Sequence, residues 1–291
     1  MAVLILDIES GSIGAALVRS NEFIKTWREH LPLRATRDVG LLAAETEKVI
    51  QNLLPAISLE AVHSGEVSNI SVFMSPPWGK PNLETGRPDF VPHLQDMLRR
   101  ESGAYFDLPL NFYTGAGAAA QAMRVISPAE DKYLVCIVTH EMTELLLVYN
   151  GAVAGHATIP HGINLPLRTL RTHGGLSDAE ARSLLRLGHQ GQAAHHLHDT
   201  LSSATEHYAQ EFKSAARELF DAYAPERVWV ISPMGEYFAR ALSQSNLADL
   251  FPQGGTVSAL RSHHLEPHHP AAVEHDLFLI LEALYVRYNQ K

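Results

Sequence analysis

One cysteine, Cys136, stands in 291 residues, so no disulfide can form within the chain. It lies in an apolar run, where a thiol behaves as a small hydrophobe. Basic residues are few: 23 Lys and Arg face 32 Asp and Glu, a net charge of −9 with histidine neutral. They are also scattered. Binding to nucleic acid needs clustered Lys and Arg against phosphates, so a nucleic-acid partner is excluded. Long hydrophobic runs are missing as well. Residues 133–138 and 145–148 are strand-sized, far short of the roughly 20 residues that span a bilayer. The opening MAVLILDIES has neither a basic start nor a small-residue cleavage site, which reads against a signal peptide. Low-complexity tracts are absent too, which argues against disorder. The expectation is a cytoplasmic protein without direct membrane insertion.

What is present is a 46% hydrophobic chain, enough for one large core or two medium ones. Residues 3–6 and 15–18 are short apolar runs, and 23–27 follows the turn at Ser20-Asn21, which predicts three antiparallel strands. Apolar positions recur at helical spacing over 38–54, and a buried strand at 70–74 ends at Ser75-Pro76-Pro77-Trp78. A helix is predicted over 91–100, and a small-residue helix starts within 113–123. Strands follow at 133–138 and 144–149, then a hairpin at Asn150-Gly151 and a returning strand at 153–159. Residues 163–223 read as mostly helical. Ser177 is an N-cap, with Glu180 three residues on. A strand at 227–231, a helix at 236–243, a strand at 256–260 and a helix at 275–288 complete the pattern. A strand–turn–strand unit thus occurs twice, near residue 3 and near residue 133, and each is followed by further strands and helices. That is a duplicated α/β plan.

Between the first two strands stands Asp7-Ile8-Glu9-Ser10-Gly11-Ser12-Ile13-Gly14. A turn of small residues can aim backbone N–H groups at a phosphate, and an aspartate beside it can hold Mg²⁺ through water. The plain alternative is an acid that caps a tight turn. At the second unit the matching residues are Ile137-Val138-Thr139-His140-Glu141-Met142-Thr143-Glu144. Two further segments carry small residues, Gly115-Ala116-Gly117-Ala118-Ala119-Ala120 and Trp229-Val230-Ile231-Ser232-Pro233-Met234-Gly235.

In this order the motifs resemble the actin, Hsp70 and sugar kinase superfamily. Within it the chain is similar to bacterial actin-like proteins of the FtsA and PilM type, and more narrowly to the short FtsA-like proteins of very small-genome bacteria. The likeness covers most of the chain, and its first motif is the specific one. It implies an α/β, two-lobed actin-like (ribonuclease H-like) fold made of duplicated mixed-sheet subdomains with flanking helices. The lobes would be 1–127 and 128–291, meeting at a cleft, with the C-terminal helix packing back. The likeness also implies nucleotide contacts from Asp7, Ser10, Gly11, Ser12, Thr143 and Gly235, a Mg²⁺ ligand in Asp7, and candidate catalytic acids in Asp7, Glu141 and Glu144. Several positions depart from the family pattern. Glu9 stands where the first loop has a glycine. Ile137, Thr139 and His140 replace the acid and both glycines of the second loop. No acid opens the 115–120 segment, and Pro233 removes a backbone donor. Residues 76–107 read as a truncated version of the family's inserted domain.

Two cofactor readings stay open, ATP with Mg²⁺ or none. The leading functional reading is an actin-like scaffold or assembly protein with a weak or lost ATPase, in cell division or type IV pilus-like machinery. Its partners would be proteins: copies of itself, or a membrane-linked division or pilus protein that recruits it to the inner face of the membrane. The alternative is an active Mg-ATP-binding ATPase or small-molecule kinase with altered loops. A third reading starts from ten of the 17 histidines, grouped at 189–207 and 263–275, with HHLEPHH as a zinc-binding stretch. Solvated histidines are the plain alternative. Trp78 is either a partner contact or packing beneath its loop. The edge of the strand at 153–159 is a further candidate contact.

Overall fold

The computed structural model describes residues 1–20, 22–36, 38–64, 67–78, 94, 96, 108–128, 130–188, 195–220, 225–234, 236–247, 249–251, 254–268 and 276–289. The chain opens as an antiparallel meander of β1 (Ala2–Ile8), β2 (Ser12–Arg19) and β3 (Glu22–His30). Helix α1 (Val39–Ser64) returns the chain to β4 (Val67–Met74), parallel to β1, and β5 (Leu110–Thr114) adds parallel to β4. Helix α2 (Gly115–Ile126) follows directly. The sheet order is β3-β2-β1-β4-β5.

The same plan then repeats. β6 (Lys132–Val138), β7 (Thr143–Tyr149) and β8 (Ala152–Ile159) form a second antiparallel meander. The β7–β8 hairpin turns at Asn150 and Gly151, both with positive φ (49° and 72°), as an Asn-Gly pair favours. Helices α3 (Asn164–Gly174), α4 (Asp178–Gly188) and α5 (His195–Leu219) lead to β9 (Arg227–Ile231), parallel to β6. After α6 (Glu236–Gln244), β10 (Thr256–Ala259) adds parallel to β9. The order β8-β7-β6-β9-β10 copies the first sheet strand for strand. Short α7 (Ser262–Leu265) and C-terminal α8 (Leu277–Asn289) close the described chain.

The chain divides into two compact units, one of residues 1–32, 36–122 and 262–291 and one of 33–35 and 123–261. Residues 262–291, the stretch that carries the C-terminal helix expected to pack back, group by contacts with the first unit. Strand alternation assigns the faces of the first sheet. Leu4, Leu6 and Ile8 pack with Ile50, Leu53, Leu54 and Ile57 of α1. Val3, Ile5 and Ala16 face the other way and pack with Ala118 of α2 and with Leu279, Ala283 and Val286 of α8. In the second unit Leu134, Cys136, Val138, Leu145 and Leu147 pack with Leu167, Leu170, Tyr208 and Phe212.

Three local features differ from the sequence pattern or sharpen it. Helix α1 runs past Pro55, because the buried stripe of Leu53, Leu54 and Ile57 continues through it. Gln51, whose carbonyl loses its partner to the proline, is exposed, so water can take that bond. The strand β5 has no strong alternation to announce it, being an edge strand of half-buried residues. The cap of α4 forms as read: the Ser177 N–H donates to Glu180 Oε2 at 2.9 Å, and the Glu180 N–H to Ser177 Oγ at 3.4 Å. The helix read at 91–100 and most of 76–107 lie outside the described residues. Among the described residues no helix is long and apolar enough to cross a membrane.

Candidate functional site

The β1–β2 turn is closed by the Glu9 N–H donating to the Ser12 carbonyl at 3.0 Å. Asp7 sits opposite Gly14, and Gly14 sits opposite Arg28, across three adjacent strands. Asp7 therefore shares a face with Val3 and Ile5, the face that α8 covers. A Cβ at Gly14 would stand 2.7 Å from Arg28 Nη2, so the missing side chain is what lets the guanidinium lie over β2. From there Arg28 reaches Asp7 Oδ2 at 2.7 Å, Glu9 Oε1 at 3.3 Å, and Asp276 Oδ1 at 2.8 Å. It also donates to Ser12 Oγ at 2.9 Å. Asp276 in turn accepts the Phe278 and Leu279 N–H groups at 3.0 and 3.3 Å, which makes it the N-cap of α8.

Asp7 and Glu9 are buried, and so is Glu282 of α8. Burial pushes the Asp7 carboxyl up to about 7, with Arg28 partly offsetting the shift. Glu9 is likewise raised to about 7, by burial against Arg28. Glu282 is raised well above the usual carboxylate range, first by burial and then by the charge of Asp7. Burial alone would lower the Arg28 pKa. The carboxylates of Asp7, Asp276, Glu9 and Glu282 outweigh that and raise it, so Arg28 stays charged. The cluster is four carboxyls around one guanidinium, and protons as well as Arg28 keep it near neutrality.

The β6–β7 turn has the same skeleton, with the Thr139 N–H donating to the Met142 carbonyl at 3.0 Å. Here the start of α3 packs against the turn. Ile163 and Asn164 donate their N–H groups to the Thr139 and His140 carbonyls at 2.9 and 2.8 Å. Gly162 makes that approach possible, since a Cβ there would stand 2.2 Å from the Thr139 carbonyl oxygen. Glu141 is gripped by both Nη atoms of Arg168 at 2.8 and 2.6 Å, and by Asn164 Nδ2 at 2.6 Å. A helix N-terminus is where a phosphate would find free amides. These two amides are spent on turn carbonyls.

The residues singled out by sequence fall into three places. Asp7, Ser10, Gly11 and Ser12 gather at the first turn: Ser10 is buried, and the Gly11 carbonyl accepts the Leu31 N–H at 2.9 Å. Glu141 and Thr143 belong to the second turn. Thr143 Oγ1 donates to the His161 carbonyl at 2.8 Å and lies 3.2 Å from the Tyr208 hydroxyl. Glu144 points along the sheet instead, where its Oε1 lies 3.1 Å from His156 Nε2. Gly235 lies outside the described residues, as do His189, His269 and His275. Among the described residues no group of three or more His, Cys, Asp or Glu is placed to hold a metal ion. Trp78 is buried in the α1-facing core, with its Nε1 donating to the Glu9 carbonyl at 3.4 Å. Cys136 is buried as expected, its thiol pushed up to about 12 by burial.

Sequence reasoning missed the partners: Arg28, Asp276, Glu282, Asn164 and Arg168. Counting from the turn near residue 20 would set Trp27 opposite Gly14; a β-bulge between Leu17 and Val18 shifts the register by one and brings Arg28 there instead. The others come from distant elements with no local signal. Taken one at a time, the two turns as they stand fit a Mg-nucleotide poorly. The carboxylate expected to hold Mg²⁺ is paired with Arg28, a buried Glu9 occupies the first turn, and the amides nearest the second turn are already bonded.

No protein-family model matches the chain, and no curated protein matches it. Solved structures do. The ethanolamine utilization protein EutJ from Carboxydothermus hydrogenoformans aligns over 98% of this chain and 89% of its own, at 14% identity and a TM-score of 0.60. The PilM-PilN type IV pilus biogenesis complex aligns over 98% and 99%, at 14% identity and 0.61. A ROK family glucokinase from Streptomyces griseus, in complex with glucose and AMPPNP, aligns over 94% and 98%, at 13% identity and 0.56. At these identities the likeness is one of fold. The duplicated five-stranded sheets and these matches together give the chain the two-lobed α/β fold of the actin-like superfamily.

Proposed function

We propose that this chain is an actin-like scaffold or assembly protein whose ATPase is weak or lost. The observation that carries the reading is Arg28, laid over Gly14 and paired with Asp7, Glu9 and Asp276. The chain supplies its own cation at the carboxylate where the superfamily pattern calls for Mg²⁺. The self-bonded second turn supports the same reading. The likeness in fold to the PilM-PilN type IV pilus biogenesis complex is in keeping with an assembly role. The proposed partners are copies of this chain or a membrane-linked protein of a pilus-like or division machine, with recruitment to the membrane through that partner. The test is thermal unfolding with and without millimolar Mg-ATP, paired with a phosphate-release assay. Binding to the folded state must raise the unfolding midpoint by mass action. The scaffold reading expects no rise and no release. A rise of several degrees with turnover would overturn it.

One observation favours a second reading, an active Mg-ATP enzyme. Four carboxyls surround a single guanidinium, and a divalent cation would balance that excess if Arg28 swung away. Under this reading Mg²⁺ with ATP raises the midpoint, and Arg28→Ala strengthens the response.

A further inference from the structure

We propose a divalent transition-metal site, of the Zn²⁺ class, formed by His161 and His207. The Nε2 atoms of the two imidazoles lie 3.2 Å apart, with ring centroids 4.9 Å apart and ring planes at 64°. Two nitrogens each about 2.0–2.1 Å from a tetrahedral Zn²⁺ stand roughly 3.3 Å apart. The pair therefore already has the separation of two ligands on one ion. His207 is exposed and His161 half-buried, so an ion can enter from solvent.

The two histidines are also held from behind. The His161 carbonyl accepts the Thr143 hydroxyl, and the next residue, Gly162, packs on the carbonyls of the second turn. His207 is followed on α5 by Tyr208, whose buried hydroxyl lies 3.2 Å from that same Thr143 oxygen and 3.5 Å from Cys136 Sγ. One hydroxyl thus ties together the two backbones that carry the imidazoles, so little order is lost when a metal binds. With two protein ligands the ion keeps open positions for water or for an outside donor, which makes it exchangeable rather than structural. Bound there, it pins α5 to the segment against which the second turn packs.

The test uses the full chain without an affinity tag. Zn²⁺ is titrated in competition with a chromophoric chelator, and Co²⁺ spectra report the ligand geometry. The wild type is expected to bind one Zn²⁺ equivalent that His161→Ala/His207→Ala lacks, and each single variant to weaken that site at least tenfold. His207→Gln keeps a hydrogen-bonding side chain of similar reach and is expected to lose the metal too, which separates metal binding from a mere imidazole contact. His156→Ala, with its partner Glu144 on a neighbouring strand, is expected to bind as the wild type does. Metal-free unfolding midpoints of the variants verify their folding. Zn²⁺ raises the midpoint of the wild type and leaves that of the double variant unchanged. A double variant with undiminished stoichiometry and affinity, or a wild type that binds no Zn²⁺, overturns the proposal.

Discussion

The β1–β2 and β6–β7 turns are built on one backbone template, each closed by an N–H to carbonyl bond of 3.0 Å between its first and fourth residues. Each carries a buried glutamate, Glu9 in one and Glu141 in the other, and each glutamate meets one arginine. The arginines come from different directions. Arg28 lies in the next strand but one and reaches across a glycine, into a pocket with three more carboxyls. Arg168 comes from a helix and makes a closed one-to-one grip. The difference is one of charge balance. The first turn keeps a surplus of carboxyls over its one guanidinium, whereas the second pairs one glutamate with one arginine.

Removing Arg28 breaks the comparison most severely. Arg28→Ala strands buried carboxylates and is expected to cost about 3–5 kcal/mol in chemical denaturation at neutral pH. Arg28→Lys recovers only part of that, since an ammonium lacks the fork. At the second turn Arg168→Ala is expected to cost about 1.5–3 kcal/mol, the value of hydrogen bonds to a charged group. Gly162→Ala drives a methyl into a backbone carbonyl and is expected to cost about 1–3 kcal/mol, whereas at Gly14 the obstacle is a side-chain end that can move.

The last effect sharpens the contrast best, because it depends on pH. Asp7 and Glu9 have folded values of about 7, above their ordinary values near 4. The folded state therefore holds protons that the unfolded chain has released, and stability falls as pH rises. The contribution is fully present below about pH 4 and is lost as pH rises through about 7. Glu282→Gln removes one buried acid from the set and is expected to flatten that slope. Unfolding midpoints between pH 5 and 8 check this.

The fold was legible because its signals are local. Alternating apolar runs, the Asn150-Gly151 turn and the Ser177 cap each fixed an element, and the repetition of the meander exposed the duplication. The strand β5 was missed for the opposite reason, being short, half-buried and without turn residues of its own. At the site the sequence supplied the turns but not their partners. Gly11 and Gly14 read together as a phosphate loop, yet Gly14 serves the approach of Arg28. A glycine records that something comes close, and only the strand register says what. Asp276 and Glu282 reach Asp7 through the packing of α8, which no window of sequence around residue 7 contains.

That same helix sets an order of events during synthesis. Arg28 and Asp276 lie 248 residues apart, and the face of the first sheet that bears Val3, Ile5 and Asp7 is closed by side chains of α8. The first unit is begun by the opening residues and cannot be finished until the second has been made in full. Until then a strip of apolar sheet and an unbalanced charge wait in the open. A ribosome-stalled chain ending before residue 276 should accordingly be bound by chaperones and cut by proteases within the first unit, while a released full chain resists both.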